Sequence, residues 1–204
     1  MKIGEHTSKI ESIRHSLAHL LAAAVLKKFP AAKLGVGPVI ENGFYYDIKF
    51  PEPISEGDVK ALEVRMREMI AEKLPISGEE VTAARAREIF ADQPFKLELI
   101  EDLSKEQKRL TIYYTGNFVD LCRGGHVDNT SEIDPYAFTL AKIAGAYWKG
   151  DEANPQLTRI YGYAFATAEE LKNHLAMLEE AKKRDHKKLG RELGLFVFSD
   201  LVGP

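Results

Sequence analysis

The sequence predicts an α+β fold, a largely antiparallel sheet flanked by helices, with a long helix near its C-terminal end. Apolar residues recur at helical spacing in three long stretches. Several strand-like segments sit at hairpin spacing, and strands and helices mix without a strict βαβ rhythm. No internal repeat or low-complexity segment is visible.

In chain order, Thr7 and Ser8 can cap a first helix whose apolar face is Ile13, Leu17, Leu20, Leu21 and Ala24. It should stop by Phe29-Pro30, because the residue before proline avoids helical geometry. Leu34 to Ile40 is extended and punctuated by glycine and proline, and Gly43 to Phe50 alternates like a strand. Glu41-Asn42-Gly43 between them reads as a hairpin turn. Ser55 opens a second helix to about Lys73, with Val59, Leu62, Met66, Met69 and Ile70 inward. A strand near Leu74 to Val81 and a short helix over Ala83 to Phe90 follow. Further strands are expected at Phe95 to Ile100, Leu110 to Tyr114, Phe138 to Trp148 and Leu157 to Phe165. The last helix begins after Thr167, a cap with Glu169 and Glu170 in the first turn, and runs to about Leu189. Gly190 or Gly194 can end it. The apolar run Leu195 to Phe198 reads as a first strand with nothing after it, which suggests a piece of a longer protein.

The composition, 45% hydrophobic and 29% charged over 204 residues, is that of a globular domain with one good core. No run of about 18 apolar residues is present, so no membrane-spanning helix is expected. Met1 to Ile10 is polar and unlike a signal peptide. A lone cysteine, Cys122, excludes an intrachain disulfide and makes the cytoplasm the default compartment. Net charge is −3, yet Lys182, Lys183, Arg184, Lys187, Lys188 and Arg191 crowd one stretch. They are either a solvated helix face or a nucleic-acid contact.

Chemistry concentrates in two short motifs. His15 and His19 lie four residues apart in a helical stretch, so both imidazoles leave one face about a turn apart. Asp120-Leu121-Cys122-Arg123-Gly124-Gly125-His126 places the sole cysteine four residues before a third histidine. The two glycines between them suit a sharp turn or a close approach to a ligand. One reading is a zinc site built from His15, His19, Cys122 and His126, open to water if catalytic. The other is a metal-free hydrolytic pocket in which histidines handle water and Asp120 orients an imidazole. Spacing alone leans toward zinc.

The pairing of His15-Ser16-Leu17-Ala18-His19 with Cys122-Arg123-Gly124-Gly125-His126 resembles the editing domain of bacterial-type threonine–tRNA ligases. That domain is related to the editing domains of alanine–tRNA ligases and their free-standing deacylases. The likeness extends to Gly37 to Asp47, Ala144 to Asp151, Arg159 to Gly162 and Arg184 to Gly190. It implies an editing domain over 1–166, a linker helix over 167–193 and the start of a class II catalytic domain over 194–204. It also implies hydrolysis of serine wrongly esterified to threonine tRNA, whose 3′ end would be the partner, in a cytoplasmic enzyme that is a homodimer at full length. The threonine branch edits without a metal and the alanine branch with zinc, so the resemblance reverses the preference drawn from spacing. ATP and a further zinc would belong to the catalytic domain.

Matched position by position, the active residues are His15, His19, Lys96, Cys122 and His126, with Gly37, Tyr46 and Asp120 lining the substrate. On this reading Lys96 and one of the His15–His19 pair hold the attacking water and the oxyanion. Asp120 and His126 bind the seryl amine and hydroxyl, and Cys122 shapes the pocket or, less in keeping with the family, acts as nucleophile. One departure is Gly125, where many members carry proline. The competing classes are a zinc-dependent deacylase of the alanine-editing type and a nonenzymatic RNA-binding module.

Overall fold

Ser8 caps the first helix through a reciprocal box with Glu11, an arrangement generally worth about 1 kcal/mol. From there the computed structural model describes residues 8–184. The helix, α1 (Lys9–Lys28), is apolar almost all round rather than on one face. Every residue from Ile13 to Val25 is buried except His15. It is therefore the central helix of the core, packed against the first long strand and the second helix.

After two residues of strand (β1, Lys33–Leu34), β2 (Val39–Ile40) turns back into β3 (Gly43–Lys49), with Ile40 opposite Gly43. The expected hairpin at Glu41-Asn42 is thus present. α2 (Glu56–Ala71) is capped by Ser55 and Asp58, buries Leu62, Met66, Met69 and Ile70 and leaves Val59 partly buried. β4 (Ile76–Val81) and α3 (Ala83–Ile89) follow as expected.

The expected strand at Phe95 to Ile100 is instead a helix, α4 (Pro94–Lys105). Phe-Lys-Leu-Glu-Leu alternates over five residues, but Lys96, Ile100 and Leu103 recur at helical spacing and face inward. Pro94 at the first turn presets the helical φ. The helix is tied to β1 by Gln93, whose side chain accepts from the Leu34 amide at 2.7 Å.

β5 (Leu110–Thr115) and β6 (Phe118–Leu121) form a hairpin through Gly116-Asn117, Gly116 having φ +58°. Gly-Asn between strands is a two-residue turn signal. β6 is the strand missing from the sequence reading. β7 (Phe138–Tyr147), β8 (Gln156–Ala164) and α5 (Ala168–Lys183, capped by Thr167) complete the described chain.

Among the described residues all strand pairings are antiparallel. One sheet runs β1–β3–β8–β7 with β2 also on β3, and a second runs β4–β5–β6. The α+β expectation holds. Phe44, Tyr46 and Ile48 of β3 point into the main core, while Asp47 faces away and takes a bidentate ion pair from Arg159 of β8 at 2.6 and 2.8 Å. Among the described residues no helix is long and apolar enough to cross a membrane. Of the basic stretch, Lys182, Lys183 and Arg184 are exposed, whereas Lys187, Lys188 and Arg191, the run Leu195 to Phe198 and the 185–204 boundaries lie outside the described residues.

Candidate functional site

The two sheets meet over α1, and there the sequence motifs converge. α1 supplies His15 and His19 one turn apart, and the loop after β6 supplies Cys122 and His126. Gly124 and Gly125 take φ +99° and +88°, so the loop folds back within four residues. Such φ values are cheap only for glycine, and the ring of proline does not permit them. A side chain at Gly124 would collide with the Tyr113 hydroxyl.

His126 stacks on His15 with ring centroids 4.1 Å apart, and lies 4.2 Å from His19. Its Nε2 is 3.1 Å from Cys122 Sγ, and its Nδ1 is 3.3 Å from Ser16 Oγ. The Gly124 amide also donates to Cys122 Sγ at 3.3 Å. Tyr113 of β5 closes over the other side of His126, centroids 4.8 Å apart.

Behind the imidazoles lies a buried polar hub. Asp120 comes from β6, Tyr46 from β3 and Lys96 from α4, each no more than 2% exposed. The Tyr46 hydroxyl donates to Asp120 Oδ2 at 2.5 Å and accepts from Lys96 Nζ at 3.0 Å. Lys96 pairs directly with Asp120 Oδ1, which also accepts from the Leu121 amide at 2.8 Å. His19 Nε2 stands 3.6 Å from Asp120 Oδ2, while His19 Nδ1 is buried without a hydrogen-bond partner among the described residues. Gly37 is a glycine for a local reason: a β-carbon there would drive into the Tyr46 ring.

Lys96, expected on a strand, is thus buried in a helix. An ammonium there is tolerated because a carboxylate and a phenol meet it; unpaired, it would carry a desolvation cost of several kcal/mol. Asp120, which the resemblance assigns to the substrate, has both oxygens engaged by the protein itself.

Burial sets the protonation states. It lowers His15 and His126 below the ordinary imidazole value, His126 further through the neighbouring histidines, and it drives His19 well down. All three rings are therefore neutral at pH 7. Burial pushes the Cys122 thiol up to about 12, so it remains S–H. Burial and the adjacent Asp120 carboxylate hold Tyr46 well above the ordinary phenol value, as a donor.

The four candidate donors, His15, His19, Cys122 and His126, have ligand atoms within 4.8 Å of one another. A tetrahedral zinc would draw such atoms to about 3.3–3.7 Å. The set therefore fits a metal after small side-chain movements. With all four bound it would be closed to water, as structural zinc sites are.

The structure gathers His15, His19, Gly37, Tyr46, Lys96, Asp120, Cys122 and His126, the residues expected at the pocket. Three neighbours escaped notice: Ser16, Tyr113, and Thr111, whose hydroxyl donates to the Cys122 carbonyl. Ser16 had a signal, lying inside the His-x-x-x-His motif, whereas Tyr113 and Thr111 had none. A groove of about 990 Å³ between β7–β8 and α5, lined by Leu140, Tyr163, Leu175 and Leu178, is formed by none of these residues.

Residues 110–161 match the second additional domain of threonyl and alanyl tRNA synthetases. The chain is 54% identical over 198 residues to a threonine–tRNA ligase of Gloeobacter violaceus, covering 96% of this chain and 31% of that protein. It is 51% identical over 201 residues to that of Thermosynechococcus vestitus, with 97% and 33% covered. It is 50% identical over 196 residues to that of Dehalococcoides mccartyi, with 96% and 33% covered. The chain spans about a third of the length of these relatives.

Proposed function

The chain belongs with the threonine–tRNA ligases, as the part that holds their second additional domain, and from that premise we propose that its pocket hydrolyses the ester of serine misattached to threonine tRNA. The observation that carries this reading is the buried Lys96 ammonium, aimed by Asp120 and Tyr46 beside three neutral imidazoles. An ester needs only a positioned water and modest proton transfer, and the site offers both without a charged base.

His15 is half-buried where His19 is buried, it is not held by Ser16 and Cys122 as His126 is, and with one ring nitrogen donating to the Gly124 backbone it keeps the other as an acceptor. It takes the proton of a water attacking the seryl carbonyl. Lys96 has three N–H groups and gives two of them to Asp120 and Tyr46. The third is available to the water and then to the tetrahedral oxyanion. The ribose oxygen leaves with the proton that His15 received, and free serine and uncharged tRNA result. Asp120 acts as the anchor of Lys96 and Tyr46. Cys122 is a neutral wall and no nucleophile, since its thiol stays protonated.

Such a site solves a physical problem. Threonine and serine differ by one methyl, worth only about 1–3 kcal/mol in a pocket, so a second pocket must admit serine and exclude the larger residue. The test is hydrolysis of serine-loaded against threonine-loaded threonine tRNA by this chain or the full-length ligase. Serine should be released far faster. Lys96→Ala should lower the chemical step by a hundredfold or more, about 2.7–4 kcal/mol, with little change in binding. Equal hydrolysis of both, or neither above background at full length, overturns the reading. The clustering of four donors favours a second reading, a zinc site drawn from His15, His19, Cys122 and His126, in which three of them would hold the metal and leave a position where it would supply Lewis acidity. One zinc per chain, with activity lost to chelator and restored by zinc, would establish it.

A further inference from the structure

We propose that Ser16 is a positioning residue that fixes His126 as its Nδ1–H tautomer, with the Nε2 lone pair turned to the Cys122 thiol. The inference rests on the deacylase reading for its consequence in catalysis, but the tautomer itself does not.

Ser16 is fully buried in α1, between the two helix histidines. A hydroxyl has one hydrogen and two lone pairs. Its hydrogen lies toward the Ser12 carbonyl at 2.8 Å, the closest of its three partners. One lone pair takes the Val127 amide at 3.1 Å. What remains for His126 Nδ1, at 3.3 Å, is a lone pair, so the hydrogen of that contact comes from the ring. A neutral imidazole carries only one N–H, which leaves Nε2 as an acceptor. At Nε2, 3.1 Å away, stands Cys122 Sγ, which already accepts from the Gly124 amide and has its own hydrogen to give. The donors run in one direction: Cys122 to His126, His126 to Ser16, Ser16 to Ser12.

The opposite direction is possible in principle: Ser16 donating to Nδ1 and Nε2–H donating to sulfur. It would leave the Ser12 contact without its hydrogen and spend that hydrogen on the longer of the two distances. Ser16 thus decides the polarity of the whole chain. Its grip on the ring from one side and on the Val127 amide from the other also holds the loop against α1. His126 in turn stacks on His15, so the same contacts hold the water-activating ring in register.

The test is long-range ¹⁵N–¹H correlation on the full chain with ¹⁵N-histidine, His126 being assigned by the signal that His126→Gln removes. Wild-type His126 should show protonated Nδ1 and bare Nε2. In Ser16→Ala the ring should lose that preference, and deacylation should fall about tenfold in kcat with KM unchanged, as expected for one lost hydrogen bond. Ser16→Thr, which keeps the hydroxyl, should restore both. Wild-type His126 protonated on Nε2 overturns the proposal without any variant. So does an unaltered Nδ1–H signal in folded Ser16→Ala. If wild-type protein showed no deacylation, the proposed function would fail while the spectra still decided the tautomer.

Discussion

Removing the Asp120 carboxylate should damage the protein in two separable ways. Asp120→Ala leaves the Lys96 ammonium, itself about 1% exposed, facing a phenol with no counter-charge, and it strips the Tyr46 hydroxyl and Leu121 amide of their acceptor. Breaking a buried pair from one side costs about 3–5 kcal/mol. For a domain of this size that corresponds to a fall in Tm of roughly 6–20 °C. Lys96→Met together with Asp120→Ala removes both charges and should recover at least 1 kcal/mol relative to Asp120→Ala alone, because the stranded ammonium is gone. Deacylation should stay lost in the double variant, since Lys96 is the group that meets the water. Urea unfolding followed by circular dichroism measures the first effect, with the m-value checked for constancy. The reasoning is refuted if Asp120→Ala costs less than about 1 kcal/mol, or if the two substitutions add with no coupling.

Three further outcomes follow from the same geometry. Cys122→Ser should keep substantial deacylation, because a protonated thiol is a wall and a hydrogen-bond donor that serine can replace; loss of all activity in folded, metal-free protein would restore the nucleophile. Stability should fall as pH drops below about 6.5: His15, His19 and His126 are held neutral in the fold, so the unfolded chain binds the extra protons. Each contributes a slope of up to about 1.36 kcal/mol per pH unit, and His126→Gln should remove about one proton of uptake, measurable from the pH dependence of urea unfolding. Purified protein should carry well under one zinc per chain and keep its activity in chelator, which elemental analysis and assay after dialysis would check.

Much of this protein was legible in its sequence because the relevant physics is local. Ser8, Ser55 and Thr167 cap helices through contacts three residues away, and Glu41-Asn42 turns a hairpin, so the elements they bound could be placed without knowing the rest. His15 and His19 share a face by helical geometry alone, and the paired glycines mark a turn beside Cys122. Five alternating residues did not suffice at Phe95 to Ile100, where a short period-2 pattern fits strand and helix equally and packing of Ile100 and Leu103 chose the helix. That error also put Lys96 on a strand rather than on the helix that carries it into its ion pair with Asp120.

What only the tertiary structure decided is which groups face one another across the fold. Tyr46, Lys96 and Asp120 come from a strand, a helix and another strand, separated by 50 and 24 residues, and no spacing rule links them. Their meeting turned an isolated lysine into an anchored cation and turned Asp120 inward. The three histidines could be counted in the sequence, but their neutrality could not, because it arises from desolvation when α1 is buried on nearly all sides. The direction of the hydrogen bonds through Ser16 is of the same kind: it depends on distances between α1 and a loop more than a hundred residues away, which exist only once the chain has folded.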